Sequence, residues 1–200
     1  MSQQRQFVWV RYQNAKTDHE RQRLLIAAKK AVGTTPGTVP EVWSIYASSD
    51  EAGIDAEHVT AGIWGTHQQG AERPVHMPKT DAAKWPTNFG GACRRLFDEQ
   101  FSGNAQIRSP IDTLAADTIS TRLAVLSRAD EVDIAAAHIS SLVRLMRSTG
   151  EHIAFDYDDL YWAIRTWVDP EKRTTTMHRW SRSYFRSKSP QTAEPTGTEG

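Results

Sequence analysis

Apolar residues recur along this chain at helical spacing, three or four positions apart, and no segment alternates apolar and polar residues for long. The longest apolar stripe runs along one helical face from Val132 to Met146. It consists of Val132, Ala135, Ile139, Leu142, Val143 and Met146. The pattern predicts an all-α fold, a compact helical bundle of about seven to nine helices.

Glycine, proline and capping residues set the predicted helix boundaries. Helices are predicted over 6–32, from Pro40 for a short turn, over 56–67, over 89–100, over 111–127, between Asp130 and Gly150, over 157–168 and from Pro170 onward. Asn88, Asp130 and Asp156 precede three of these segments and predict side-chain N-caps. Pro170, after Asp169, suits the first position of the last helix.

The domain organisation predicted from these segments is a single helical domain over residues 1–188. It can divide into lobes of roughly 1–105 and 106–188. After Ser187 no apolar residue is larger than alanine, which predicts a disordered tail over 189–200.

A long loop is predicted over residues 70–88, which contain three prolines and no periodicity. Loops of this length are uncommon in compact domains and are often functional. This one is either a contact with a partner or a disordered insertion. Its basic residues are Arg73, His76, Lys79 and Lys84.

Charge is segregated along the chain although 24 basic and 24 acidic residues give a net charge of zero. Residues 1–30 hold seven bases against two acids, and residues 172–188 hold six bases and no acid. Residues 41–57 hold five acids and no base, and acids outnumber bases over residues 130–171. Segregation of this kind predicts either a basic face able to bind a polyanion or ordinary solvated helix surfaces.

Most chemical functions are excluded by missing motifs. The single cysteine, Cys93, cannot form an internal disulfide, and the histidines have no zinc-binding spacing. Neither a Gly-x-Ser-x-Gly elbow nor a phosphate-binding loop is present. The acids at 156, 158 and 159 suit a helix N-terminus better than a metal. The sequence therefore predicts no catalytic residue, cofactor or metal, and no enzyme.

No apolar run is long enough for a membrane span or a signal peptide, so the chain is expected to be cytoplasmic and without a membrane partner.

The positive feature of the sequence is the placement of its cations. Lys172, Arg179, Arg182 and Arg186 form one stripe of the last predicted helix, about 100° or more from Trp180 and Tyr184. Arg94, Arg95, Arg122 and Arg128 are expected on the polar sides of their helices, and Arg144 beside the apolar stripe of its helix. Because no base-reading motif accompanies them, these cations predict sequence-independent contacts to a phosphate backbone.

Between Pro36 and Arg186 the sequence also resembles a known family. The points of resemblance are Pro36-Gly37-x-Val39-Pro40-Glu41-Val42-Trp43, Gly90-x-Ala92-x-Arg94-Arg95-Leu96, Thr121-Arg122-Leu123 with Ser127-Arg128-Ala129-Asp130, Leu142-Val143-Arg144-Leu145-Met146-Arg147-Ser148-x-Gly150 with Phe155-Asp156-Tyr157, and Arg179-Trp180-Ser181-Arg182-x-Tyr184-Phe185. In their order and spacing, these motifs resemble the CasB family, the small subunit of the type I-E CRISPR surveillance complex Cascade.

The resemblance implies an all-helical, noncatalytic subunit for antiviral defence that stabilises an R-loop. Its implied partners are crRNA, the target and displaced DNA strands, other Cascade subunits and a second copy of itself. The positions that match the family's nucleic-acid contacts are Arg94, Arg95, Arg122, Arg128, Arg144, Lys172 and Arg173. Arg179 and Arg182 are added from the stripe.

One departure from the family is Gly91, where many relatives have a basic residue. We expect the contact at that corner to be lost, or to move to Arg94 or the 70–88 loop. The alternative function is a helical protein–protein adaptor whose basic face pairs with acidic protein surfaces.

Overall fold

The structure is a computed structural model that describes residues 6–48, 50–80, 86–102, 109–113 and 118–186. Its helices are α1 (Val8–Asn14), α2 (Asp18–Lys30), α3 (Pro40–Trp43), α4 (Glu51–Gln68), α5 (Phe89–Gln100), a 3₁₀ helix (Pro110–Thr113), α6 (Thr118–Leu126), α7 (Val132–Ser148), α8 (Tyr157–Arg165) and α9 (Pro170–Tyr184). Within those ranges the β-type pairing is an isolated bridge between His76 and Phe155. The predicted all-α fold is confirmed.

The N-terminal boundaries differ from the prediction. The single helix expected over 6–32 is wrong, because the chain leaves helical geometry at Ala15 and restarts after Thr17. Thr17 caps α2 by accepting a hydrogen bond from the backbone N–H of Glu20, 3.2 Å away. Asp50 likewise caps α4, which therefore begins five residues earlier than predicted.

Two of the three predicted side-chain caps are confirmed. The Asn88 side chain accepts from the N–H of Gly91 at 3.0 Å, and that of Asp156 accepts from the N–H of Asp158 at 2.9 Å. The prediction that Asp130 is the third cap is wrong, because α7 begins at Val132, one residue later than that cap implies. Its N-cap is Glu131, whose side chain makes no capping bond.

The core is built around α4, which contacts α2, α7 and α8. Small residues allow this close packing: a Cβ on Gly65 would lie 3.0 Å from the backbone nitrogen of Lys29 in α2. Trp64 and Ile63, also in α4, are buried. Helix α5 packs against α9 and α7, and α7 thus contacts both α4 and α5. Helices before and after residue 105 thus pack together, while the predicted lobe boundary remains a prediction.

Glycines at the start of α5 bring it against its neighbours. A Cβ on Gly90 would lie 2.0 Å from the carbonyl oxygen of Trp180 in α9, and a Cβ on Gly91 would lie 2.1 Å from that of Pro86. A basic side chain at position 91 would therefore require the backbone around Pro86 to move. In this structure position 91 therefore has room only for glycine.

The described part of the 70–88 loop is attached to the chain before α8. The N–H of Met77 donates to the carbonyl of Phe155 at 2.9 Å, and the N–H of Phe155 donates to Val75 at 3.0 Å. The N–H of Lys79 donates to the Asp156 carboxylate at 3.1 Å. Residues 70–80 are thus held against the domain. Lys84 and the predicted tail lie outside the described residues.

Candidate nucleic-acid interface

Helix α9 directs its apolar residues inward and its cations outward. Trp180 and Tyr184 are fully buried, and Met177 is 7% exposed. Asp169 caps the helix by accepting from the N–H groups of Glu171 and Lys172. The bond from Lys172 is the main reason that the pKa of Asp169 lies below its usual value. The helix is therefore fixed at its N-terminus and along its buried face.

The outer face of α9 carries the predicted stripe. Lys172, Arg179, Arg182 and Arg186 are all exposed, the last just beyond the helix. Arg179 forms an ion pair with Asp159, and Lys172 lies 3.6 Å from the Asp169 carboxylate. Within the described part of the chain, Arg182 and the Arg186 guanidinium form no ion pair.

Three of these arginines line one surface cleft of about 700 Å³. Its lining residues are Pro86, Thr175, His178, Arg179, Arg182, Ser183, Phe185 and Arg186. A smaller cleft of about 290 Å³ shares Pro86, Arg179 and Arg186 with it and extends to Lys79 and to the carboxylates of Asp156 and Asp159. We call the two together the α9 cleft. It brings the α9 stripe next to the basic 70–88 loop.

Arg94 does not lie on the polar side of its helix, which corrects the prediction from the helical pattern. The residue is 1% exposed, and its Nε donates to Asp98 at 3.0 Å. Its Nη1 donates to the carbonyl of Arg186 at 2.6 Å. The guanidinium thus ties α5 to the end of α9. Because Arg94 is enclosed, it is also not the residue to which the contact at Gly91 could move.

Arg95 and Arg173 are half-buried and bonded to backbone carbonyls. Arg95 donates to the carbonyl of Ala154, and burial lowers the pKa of its guanidinium. Arg173 donates to the carbonyls of Asp130 and Trp167, 3.4 and 3.3 Å away. Both side chains therefore hold segments of the fold together and keep part of their surface at the exterior.

The α6–α7 region contains the other predicted cations. Arg122 is half-buried and donates to the Ser141 hydroxyl. Arg128 and Arg144 are exposed, and neither pairs with an acid in the ranges that the structure describes. Arg144 lines a different cleft, of about 450 Å³, between α7 and the α2–α4 region. Arg144 and the α9 arginines thus line separate clefts.

Cations outside the predicted set of nucleic-acid contacts line a third cleft, of about 400 Å³. Arg147, Arg73 and His152 meet there, accompanied by Glu72 and Glu151. Burial, followed by the charges of Arg73 and Arg95, lowers the pKa of His152. For Arg147, the signal in the sequence was its position in a segment that resembles the family. Neither periodicity nor spacing predicted that residues 73 and 152 would lie next to Arg147.

A cluster of possible metal ligands consists of His76, Asp156 and Asp158. Each already has a hydrogen-bond partner: His76 Nδ1 accepts from the N–H of Tyr157, and Asp158 accepts from Trp9 Nε1 at 2.7 Å. Asp156 caps α8, and its pKa is raised by burial and by the charge of Asp158. These bonds join the loop, α1 and α8.

These elements define a class of protein: an all-helical domain with an arginine-lined cleft beside its last helix. In the described ranges, no helix has the length and apolar character to cross a membrane. A comparison with curated proteins finds no significant match. The chain belongs to the family of CRISPR-associated protein Cse2, whose family model matches residues 24–185.

That family consists of structural subunits of CRISPR Cascade complexes. The fold is similar to the crystal structure of CasB from Thermobifida fusca, with a TM-score of 0.60 and 16% sequence identity. The match covers 88% of this chain and 94% of that chain. At this identity the structural match supports the fold.

Proposed function

We propose that this chain is a noncatalytic structural subunit of a crRNA-guided antiviral surveillance complex, where it binds nucleic-acid backbone without sequence preference and stabilises the R-loop. The α9 cleft is the observation that carries the proposal, because it gathers Arg179, Arg182 and Arg186 on a protein with no net charge. One guanidinium group can donate two parallel hydrogen bonds to the oxygens of one phosphate, which suits a backbone contact.

In this proposal the guide RNA reads the sequence by base pairing, and the protein neutralises phosphates. The partners are crRNA, the target and displaced DNA strands, other Cascade subunits and a second copy of the chain, all in the cytoplasm. Arg128, Arg144, Lys172, Arg179 and Arg182 are the predicted contacts that remain exposed. Arg95, Arg122 and Arg173 contribute through their outer surface, while Arg94 acts by holding α9 in place.

The proposal is tested by titrating labelled single-stranded DNA with the full chain at several salt concentrations. The double variant R182A/R186A should bind more weakly and depend less on salt, because each lost phosphate contact removes about 0.7 from the slope of log K against log salt. For two contacts the expected reduction is about 1.4. The Arg186 carbonyl that accepts from Arg94 is retained in the variant.

A matched control removes two exposed cations elsewhere, Lys16 and Arg23, and K16A/R23A should leave the slope unchanged. Equal effects of the two double variants would contradict a site at α9. If the wild-type chain does not retain nucleic acid even at about 50 mM salt, the protein–protein adaptor is the better function, because backbone binding is strongest at low salt.

A further inference from the structure

The α9 cleft contains an exposed aromatic ring among its cations. Phe185, directly after α9, is 37% exposed, whereas its neighbour Tyr184 is fully buried. The two rings meet edge to face with centroids 5.0 Å apart, which fixes one side of Phe185. The ring lines the same cleft as Arg179, Arg182 and Arg186.

Such a ring distinguishes between two forms of nucleic acid. In a duplex the bases are stacked inside, so backbone contacts need cations and gain nothing from an aromatic side chain. In a single strand the bases are free to stack on a protein ring while cations bind the flanking phosphates. The volume of the cleft, about 700 Å³, is within the range of small-ligand sites and is sufficient for an unpaired base.

We propose that the α9 cleft binds a single-stranded segment of nucleic acid, with one unpaired base stacked on Phe185 and the adjacent phosphates bound by Arg182 and Arg186. This inference rests on the proposed function and adds the form of the ligand and a residue that selects it. Because every base has an aromatic face, the selection is for strandedness and independent of sequence.

The test compares F185L with the wild-type chain for binding single-stranded DNA and duplex DNA of equal length. Leucine keeps an apolar side chain but removes the stacking face. Affinity for the single strand should fall about 5- to 150-fold, which corresponds to one stacked base, with the salt slope unchanged. Affinity for the duplex should stay the same, and F185W should restore single-strand binding.

Two controls separate stacking from loss of structure. Trp162 is an exposed aromatic residue beside Arg165 on α8, outside the lining of the α9 cleft, so W162L should leave single-strand affinity unchanged. A strand with abasic sites should bind the wild-type chain as weakly as F185L binds the normal strand, and F185L should weaken it no further. Circular dichroism should show the same helicity for all variants.

If the wild-type chain binds single strands but F185L or the abasic strand changes nothing, the stacking inference fails and the backbone proposal survives. Equal losses of single-strand and duplex affinity in F185L would also overturn it. If the wild-type chain binds neither form at low salt, the proposed function itself fails, and the stacking inference fails with it.

Discussion

Arg94 carries its charge inside the protein, where a guanidinium is stable only if its donors are matched. The helical pattern predicts it on the polar side of its helix, because it lies outside the apolar stripe of Phe89, Cys93, Leu96 and Phe97. Its burial depends on the Arg186 carbonyl, 92 positions away. No local pattern contains that contact. The exposure of Arg182, by contrast, was predictable, because it follows from the apolar stripe of its own helix.

Replacing Arg94 should therefore affect stability. The variant R94M keeps an apolar stem but removes the buried bonds to Asp98 and to the Arg186 carbonyl, so the free energy of unfolding should fall by about 3 kcal/mol. The exposed control R128A should change it by no more than about 0.5 kcal/mol. Urea denaturation followed by circular dichroism measures both. Equal values for the two variants would show that Arg94 is not an internal tie.

At the scale of helices, the sequence predicted the starts of α3, α5, α8 and α9, but not those of α2 and α4 or how deeply the helices are buried. The caps at Asn88 and Asp156 follow from residue type alone. Residues 6–32 contain no glycine or proline, so the break before Thr17 was missed even though Thr17 and Glu20 have capping spacing. α4 buries even Glu57 and His58, because the segment between Thr34 and Ser48 covers them. Helical periodicity does not contain these contacts.

The contact between α5 and α9 depends on a missing side chain at Gly90. In G90A the new Cβ would overlap the Trp180 carbonyl, so α9 would have to move and the free energy of unfolding should fall by about 2–4 kcal/mol. G62A is the matched control, because its Cβ would meet only ordinary contacts at 3.4 Å. In both variants the higher helix propensity of alanine adds about 1 kcal/mol to the free energy of unfolding.

Thermal and urea denaturation should thus show G90A destabilised and G62A equal to or more stable than the wild-type chain. G90A should also weaken single-strand binding at a salt concentration and temperature where it remains folded, since the α9 cleft loses its support. An unchanged stability of G90A would mean that α5 and α9 do not approach as closely as the structure has them.

For the whole molecule, a net charge of zero conceals how differently the acids and the bases are placed in the fold. The Glu57 carboxylate is buried and accepts from the backbone N–H groups of Ala47 and Ser48. Asp156 caps α8, and Asp159 holds Arg179 and the Trp180 indole. Several acids are thus used internally while exposed arginines face outward, which leaves local fields that a total charge does not report.

Segregation along the sequence left open either a basic face or ordinary solvated helix surfaces, and it did not predict that the exposed cations would line more than one cleft. Arg144 lines the cleft near α2 and α4, whereas Arg182 and Arg186 line the α9 cleft. Long-range packing decides which helices lie next to each arginine. The sequence alone therefore does not determine whether the arginines form one continuous surface.

Strand length separates these arrangements. A strand of about four nucleotides can occupy only one cleft, so its affinity should fall in R182A/R186A and stay within about twofold in R128A/R144A. A strand of about 30 nucleotides can reach both regions, and both double variants should weaken it, with additive free energies because distant sites act independently. Fluorescence anisotropy at one fixed salt concentration measures all four affinities. If the short strand depends equally on both pairs, the two sets of arginines form one continuous surface after all; if the long strand ignores R128A/R144A, nucleic acid follows the α9 cleft alone.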